Sequence, residues 1–591
     1  MKKTISKSGI IYIQKSVRIG SKVTSKTVKK LGRISDLMDE MNMTKDQVLA
    51  WADTECRKLE EEEKNDPKKQ ITITIPVEDS ALGSLPLKQA GYLFLQKICY
   101  ELHLDSICTH AAEGHQIRFD FPQIVLAMVY NRILHPSSKR RCRLDSRLLL
   151  EPVPIAHQDI YRSLDILAEN MSEIILKLYR TSNKIIRRKT DILFYDCTNF
   201  FMEIEEIRGE LCRYGVSKEN RPNPIVQMGL FLDADGIPFD MCINPGNRNE
   251  TLSVNKETIG RIQRDFEVDR FIYCADAGLG SSAIRKAVEG VFKRNSYIIT
   301  HSIKKMADSL QEWVLDESDK EWWYYWKTGS AGSRQKYRTR FKEIDQSGSN
   351  STRYFRSRWA KTSDGREERY IITYCPKYRA YQRSKRNAQI DRALKKAQQE
   401  GLKKKKRPND PARFIKETPV TSEGEVATSL IKEIDLEKVA YEERYDGYYC
   451  VATTLEWEES EVLKVSAQRW QIEDCFRIMK TYFDARPVYL QKDNRIKAHF
   501  LICYIALMVF RILQKRLGPD YTCEEILTAL RTFNYYEMYG QGYSYAYEPT
   551  PITRSLASSL SQDLNKTYLT AAQMKRIVRQ SKRKKAVATK S

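Results

Sequence analysis

Arg469, Glu473, Arg477 and Lys480 fall at i, i+4, i+8 and i+11, which reads as one face of a helix. Ile472, Phe476, Met479 and Phe483 make a separate apolar stripe, so that helix can pack on a core while its charged face meets a ligand. Asp196 follows the apolar run Ile192–Tyr195. Asp276 follows Phe271–Ala275 and precedes Ala277-Gly278-Leu279-Gly280. Each aspartate reads as closing a strand at a sheet's edge. Two carboxylates side by side repel unless a cation lies between them. Hard divalent ions take oxygen ligands and leave positions open for water and phosphate oxygens. The set Asp196, Asp276 and Glu473 therefore points to metal-assisted phosphate chemistry. The plainer readings are that a strand-end Asp is a turn or cap residue, and that an Arg–Glu–Arg face is a solvated salt-bridge ladder.

Apolar patterning locates the elements that must hold these side chains. Pro224–Leu232 and Ile237–Ile243 flank Asp233-Ala234-Asp235-Gly236, a hairpin signal. Glu250–Phe266 has helical spacing, Phe271–Ala275 reads as a strand, Ser281–Val291 as a helix and Tyr297–Thr300 as a strand. With Ile192–Tyr195 in front, the order is β-β-β-α-β-α-β. That is the order of a ribonuclease-H-like domain, an α/β fold in which helices cover a mixed sheet. In that order the first and fourth strands are neighbours, so Asp196 and Asp276 converge. The third ligand then comes from a helix after the last strand. A strand at Tyr448–Thr454 and a long helix from about Glu458 to Phe483 meet that need and carry Glu473. Turn chemistry accounts for Asp233 and Asp235, with Asp240 nearby, and Glu250 reads as a first-turn acid. Lys218 and Arg221, in a loop between strands, are candidate phosphate contacts.

The rest of the chain divides around this unit. Residues 1–70 read as a basic β-module plus helix, with strands at Ile10–Gln14, Val17–Gly20 and Lys22–Leu31, a helix over 36–66 and a linker at Asn65–Lys69. A module of that kind suits contact with DNA phosphates. Residues 85–188 read as a helical DNA-binding domain broken at His135-Pro136-Ser137-Ser138. The catalytic domain spans 189–302 and 446–515. Residues 303–445 interrupt it as an insertion rich in aromatic and basic residues, including Trp322-Trp323-Tyr324-Tyr325-Trp326, Arg334 to Arg340 and Lys403–Arg407. Such interleaving fits DNA contact or, equally, an ordinary β-subdomain core. Residues 516–591 read as helical with a disordered basic tail from Lys575 to Lys590.

The sequence resembles the DDE transposases of bacterial insertion sequences, in the group with a Y-x2-R-x3-E-x6-K signature. Arg469, Glu473 and Lys480 match R-x3-E-x6-K, and Ser466 stands where the signature has Tyr. Tyr195-Asp196-Cys197-Thr198-Asn199 and Ala275-Asp276-Ala277-Gly278 are similar to the blocks around the two aspartates. Gly215-Val216-Ser217-Lys218, Gly246-Asn247 and Arg486-Pro487-Val488-Tyr489 also resemble blocks of that group. The resemblance implies that Asp196, Asp276 and Glu473 are catalytic and hold two Mg²⁺ or Mn²⁺ ions for strand cleavage and strand transfer of the cut-and-paste type. It implies that Arg469 and Lys480 clamp phosphates at terminal inverted repeats, with Arg477, Lys218 and Arg221 as further DNA contacts. Trp470 either stacks on a base or packs. A β-rich insertion is typical of similar members. Where the signature Tyr assists a flipped base during hairpin formation, Ser466 offers no ring. The implied assembly is a homodimer on double-stranded DNA ends, with no membrane partner. The alternatives are a metal-dependent nuclease of the same fold and a non-catalytic DNA-binding derivative.

Composition agrees with a polyanionic partner. The 591 residues carry 100 Lys and Arg against 77 Asp and Glu, a net charge of +23. That length is enough for about three to five domains. The 13 cysteines include no CxxC pair and the 7 histidines no HxxxH pair, which argues against a structural zinc site and fits free thiols in a reducing compartment. MKKTISKSGI lacks the apolar core of a signal peptide, and the apolar stretch from Phe500 to Leu513 reads as too short to span a bilayer. The expected location is the bacterial cytoplasm, at the nucleoid.

Overall fold

The computed structural model describes residues 1–19, 22–64, 85–204, 206–207, 209–290, 294–318, 321–328, 333–398, 410–420, 429–538 and 540–584. The expected linker Asn65–Lys69 and the basic stretch Lys403–Arg407 lie outside them. The chain divides into two compact units, one of residues 1–85 with 538–541 and one of the remainder.

In the first unit an antiparallel sheet of Lys2–Ile5, Ile10–Ile19 and Lys22–Arg33 is followed by helices Ile34–Met41 and Lys45–Lys64. Ile11, Leu37, Val48 and Ala52 form its small core. The lysines of the third strand, Lys26, Lys29 and Lys30, are exposed.

The second unit is built on a ten-stranded mixed sheet. Its strands are β1 (Ile192–Phe201), β2 (Ile225–Leu232), β3 (Pro238–Pro245), β4 (Ile272–Ala275), β5 (Ser296–His301), β6 (Glu321–Thr328), β7 (Ser333–Arg340), β8 (Tyr354–Lys361), β9 (Glu367–Tyr374) and β10 (Tyr448–Thr453). The spatial order is β7-β6-β8-β9-β10-β5-β4-β1-β2-β3. β1, β2 and β3 form an antiparallel meander, while β4 pairs parallel with both β1 and β5. Helices Lys256–Arg264 and Ser282–Glu289 make the crossovers on either side of β4. β1, β2 and β4 are near-continuous apolar runs, as strands buried on both faces require.

The segment 303–445 adds four strands, β6 to β9, to this same sheet, because β9 pairs along its length with β10, while Ile415–Val420 and Ser429–Ile434 pair with each other as a separate two-stranded sheet. Trp322 of β6 is fully buried against Phe341, Tyr374 and Tyr448, so that member of the aromatic cluster is core. Trp323 instead lies under the Lys336 ammonium, 5.2 Å from its ring centre.

Helices Tyr92–Glu101, Leu104–Ala111, Phe121–Leu134, Lys139–Asp145, His157–Glu169 and Met171–Ile185 fill the region expected to be helical. The break after Leu134 falls where His135-Pro136-Ser137-Ser138 places it, and the Ser138 hydroxyl caps the next helix by accepting the Arg141 amide at 3.2 Å. The basic tail begins later than the composition suggests. Ala571–Ser581 is a helix with Met574, Ile577 and Val578 buried, because an apolar stripe lies among the lysines and arginines. Residues 585–591 lie outside the described ones.

The long helix Asp493–Leu517 runs through the core. Its 25 residues are long and apolar enough to cross a bilayer by length and composition, which corrects the shorter span read from sequence; 94% of its apolar window is buried inside the fold. Apolar side chains continue through Ile496 and Ala498, beyond the run that patterning picks out. His499 of this helix is 6% exposed and donates from Nε2 to the Ala485 carbonyl at 3.2 Å. Burial holds its basicity well below the usual value, and Lys139 and Arg132 nearby push the same way. A base kept neutral in the fold takes up a proton on unfolding below pH about 6.5. Stability therefore falls as pH drops, by at most about 1.4 kcal/mol per pH unit for this one group. Urea unfolding at pH 7 and pH 5 is expected to show this loss, and His499→Gln to show a smaller one. Equal pH slopes in the two proteins would remove His499 as the cause.

Candidate active site

The last parallel pair between β1 and β4 is Tyr195 with Ala275, so Asp196 and Asp276 are the next residues on neighbouring strands. The sequence reading ends a strand at Asp196. Instead β1 continues to Phe201, since Cys197, Phe200 and Phe201 go on filling the core. It is β4 that stops, and its end opens the sheet beside Asp196. The Asp196 Oδ1 accepts the Cys197 amide at 2.7 Å. Burial pushes the Asp196 carboxyl up to about 6, opposed by the Lys218 charge and the Cys197 amide and reinforced by Glu250 and Asp276. Asp276 is more exposed, with its Oδ1 3.4 Å from Arg469 Nη1.

Arg469 holds the helical segment against the strand ends. Its Nη1 donates to the Ala275 carbonyl at 3.1 Å and contacts the Thr300 hydroxyl. The single long helix expected over 458–483 is in fact three pieces: α1 (Glu459–Ala467), α2 (Trp470–Arg477) and a π-helical turn over Ile478–Tyr482. At the first junction the amides of Gln471 and Ile472 bond three residues back, to Gln468 and Arg469, which tightens the backbone there. Ile472, Phe476, Met479 and Phe483 are all buried, as their stripe predicts.

Glu473 projects from α2, exposed, with no hydrogen bond or ion pair among the described residues. Among those residues no three acidic, histidine or cysteine side chains close on one point; Asp196 and Asp276 are neighbours and Glu473 stands apart on its helix. Lys480 lies on the Asp196 side. Its Nζ donates to Glu219 at 3.2 Å and sits 5.3 Å from the Phe200 ring centre. Burial and the Lys218 charge pull it down to about 8, against the pull of Asp196. Arg477 is not brought to the carboxylates: it is 60% exposed and pairs with Asp474 at 2.5 Å. Trp470 heads α2 and is 59% exposed, outside the apolar stripe.

Lys218 donates to the Cys197 carbonyl at 2.5 Å and pairs with Glu250 at 3.0 Å. Arg221 stacks over the Phe201 ring at 4.2 Å. The blocks singled out in the sequence meet here. The Asn199 side chain donates to the Val216 carbonyl at 3.0 Å and accepts the Lys218 amide at 3.3 Å. A Cβ on Gly215 would come within 2.1 Å of the Gly246 carbonyl oxygen, and one on Gly246 equally close to that of Ile225, so close backbone approach demands both glycines. Arg486 pairs with Glu219, and the Val488 amide donates to the Phe201 carbonyl at 3.4 Å. Glu219 carries no signal in the sequence pattern, and Glu250 reads there as a helix-start acid. Only the folded sheet reveals that both serve cations beside Asp196.

Beyond the end of β4 a groove of about 880 Å³ is lined by Lys218, Arg248, Glu250, Arg285, His301 and Lys305 among others. Asp196 and Asp276 offer the carboxylate oxygens that a hard divalent cation takes, the first half-buried and crowded by like charge, with Glu473 not brought to them. The adjacent thiol does not compete, because burial pushes Cys197 up to about 12 and keeps it protonated.

Residues 217–509 match the family model described as the transposase DDE domain. The matched span contains Asp276, Glu473 and the cations of α2 and the π turn, and begins after Asp196. No curated protein matches the chain. Among solved structures it is similar to a piggyBac transposase in a synaptic complex with hairpin DNA, at 7% identity and a TM-score of 0.37, over 82% of this chain and 85% of that one.

Proposed function

We propose that this chain, whose residues 217–509 match the transposase DDE domain, is a DNA transposase of a bacterial insertion sequence that cleaves and rejoins DNA at terminal inverted repeats. The observation that carries the reading is the register of β1 and β4, which sets Asp196 beside Asp276 with Arg469 on one side and Lys480 on the other. The strand order around them supports a ribonuclease-H-like core for the catalytic domain.

Asp196, Asp276 and Glu473 would hold divalent ions, two in number and Mg²⁺ or Mn²⁺ in kind. Bound there, such ions activate a water or a DNA 3′-OH and stabilise the leaving oxygen of an in-line displacement. The chain's own residues do the rest. Arg469 keeps Asp276 at the mouth of the sheet, and Lys218 and Lys480 bring positive charge to the phosphate next to Asp196. Arg221, Arg477 and Trp470 are exposed and meet DNA further out. Ser466 supplies no ring for a flipped base, so the assistance that the signature Tyr gives a hairpin step has no counterpart at this position. Two copies bridge the paired ends in the bacterial cytoplasm.

The test is incubation of the protein with a DNA fragment carrying the element's own end. Nicked and joined products are expected with Mg²⁺ and none with a chelator. Nicking that never proceeds to joining would assign a nuclease instead, and binding without either would assign a DNA-binding derivative.

A further inference from the structure

The cations beside Asp196 already carry internal partners. Glu219 bridges two of them: one oxygen accepts from Lys480 Nζ at 3.2 Å, and the other pairs with Arg486. The three side chains are 20%, 14% and 26% exposed respectively, so the bridge is largely withdrawn from solvent. Lys218, one residue from Glu219, is engaged by Glu250 in the same way at 3.0 Å. The loop that presents Glu219 is held in shape, since the Ser217 hydroxyl oxygen accepts the Glu219 and Arg221 amides at 3.2 and 3.3 Å. The cations are also held by rings: Lys480 lies over Phe200 at 5.3 Å, and Arg486 and Arg221 over Phe201 at 5.8 and 4.2 Å.

Resting on the reading that DNA occupies this site, we propose that Glu219 determines specificity by standing in for a DNA phosphate on Lys480 and Arg486. Two carboxylate oxygens between two cations reproduce the contacts that a phosphodiester's two free oxygens make. Non-specific affinity for DNA comes from cations that neutralise phosphates and release counterions. Lys480 and Arg486, satisfied by Glu219, release none until Glu219 is displaced. Arbitrary DNA cannot offset that displacement, whereas a strand end held by contacts elsewhere on the protein can. Glu219 thus keeps the cations at the reaction centre closed to DNA that is not an end.

The experiment uses the full chain in chelator, where no cleavage occurs, and a labelled duplex of random sequence titrated across KCl concentrations. Glu219→Gln is expected to bind about tenfold tighter near 0.1 M salt, with the slope of log affinity on log salt steeper by about one to two. Glu219→Ala, which keeps no oxygen for Lys480, carries the same expectation. Asp520→Asn makes an equal change in net charge at an exposed residue and is expected to leave the slope unchanged. Adding Lys480→Gln to Glu219→Gln is expected to cancel most of the gain. If Glu219→Gln and Glu219→Ala bind no tighter than Asp520→Asn, the stand-in role is overturned while DNA binding survives. If no protein in the set binds DNA, the functional reading falls and this inference with it.

Discussion

Glu473→Gln is expected to bind DNA as well as the wild type and to cleave and join it about 10³-fold more slowly, or not at all. Glu473 projects from α2 with no partner among the described residues, and the apolar stripe of that helix is buried independently of it. The substitution therefore removes a charge and a metal-capable oxygen without disturbing packing. A surface salt-bridge residue would behave differently, since an exposed pair contributes at most about 1 kcal/mol and nothing to rate. Gel-shift binding and single-turnover cleavage on the same end fragment separate the cases. If both proteins cleave alike, Glu473 is an exposed acid on a helix and the third ligand lies elsewhere; Glu250, whose charge already reaches Asp196, is then the first residue to replace.

The largest stability effect is expected at Asp233. Asp233 and Arg188 have no exposed side-chain surface and are joined at 2.5 Å. The second Asp233 oxygen accepts the amides of Asp235 and Ile237 at 3.1 and 2.9 Å. Arg188 also donates to the Ser182 hydroxyl at 2.8 Å and the Pro238 carbonyl at 2.9 Å. Asp233→Ala leaves a guanidinium buried without its counterion and the β2–β3 turn without its two amide acceptors. A loss of about 3–5 kcal/mol follows. Urea unfolding measures it, and an Asp233→Leu, Arg188→Met double replacement should recover part of it, because the uncompensated charge goes with its partner. A loss below about 1 kcal/mol in the single variant would mean that water reaches Arg188. Asp233 belongs to the framework, so cleavage by the variant below its unfolding temperature should match the wild type.

Much of the site's scaffold was legible because the strands that build it are local signals. Apolar runs, bounded by Asp-Gly and Gly-rich turns, locate β2 to β5 and the start of β1 to within a few residues. The buried stripe of α2 was legible for the same reason. Misreadings arose wherever a partner far along the chain decided the outcome. Asp196 looked like a strand end, yet β1 runs on because β2 pairs with it as far as Phe201. The helix over 458–483 looked continuous, but its backbone tightens between Gln468 and Ile472, where Arg469 reaches the Ala275 carbonyl of β4.

Residue type and spacing single out candidates for chemistry: Asp196 and Asp276 after apolar runs and Glu473 on a helix, with cations at fixed spacing from the third. They do so because residue type and helical or strand period are properties of short segments. The β-β-β-α-β-α-β order anticipates that β1 and β4 adjoin, and their pairing brings Asp276 to Asp196 across 80 positions of chain. Other meetings of charges come from the fold only, as where Glu219 reaches Lys480 across 261 positions. Those contacts depend on strand register and loop closure, which no local pattern encodes, and they settle which cations are already engaged around Asp196.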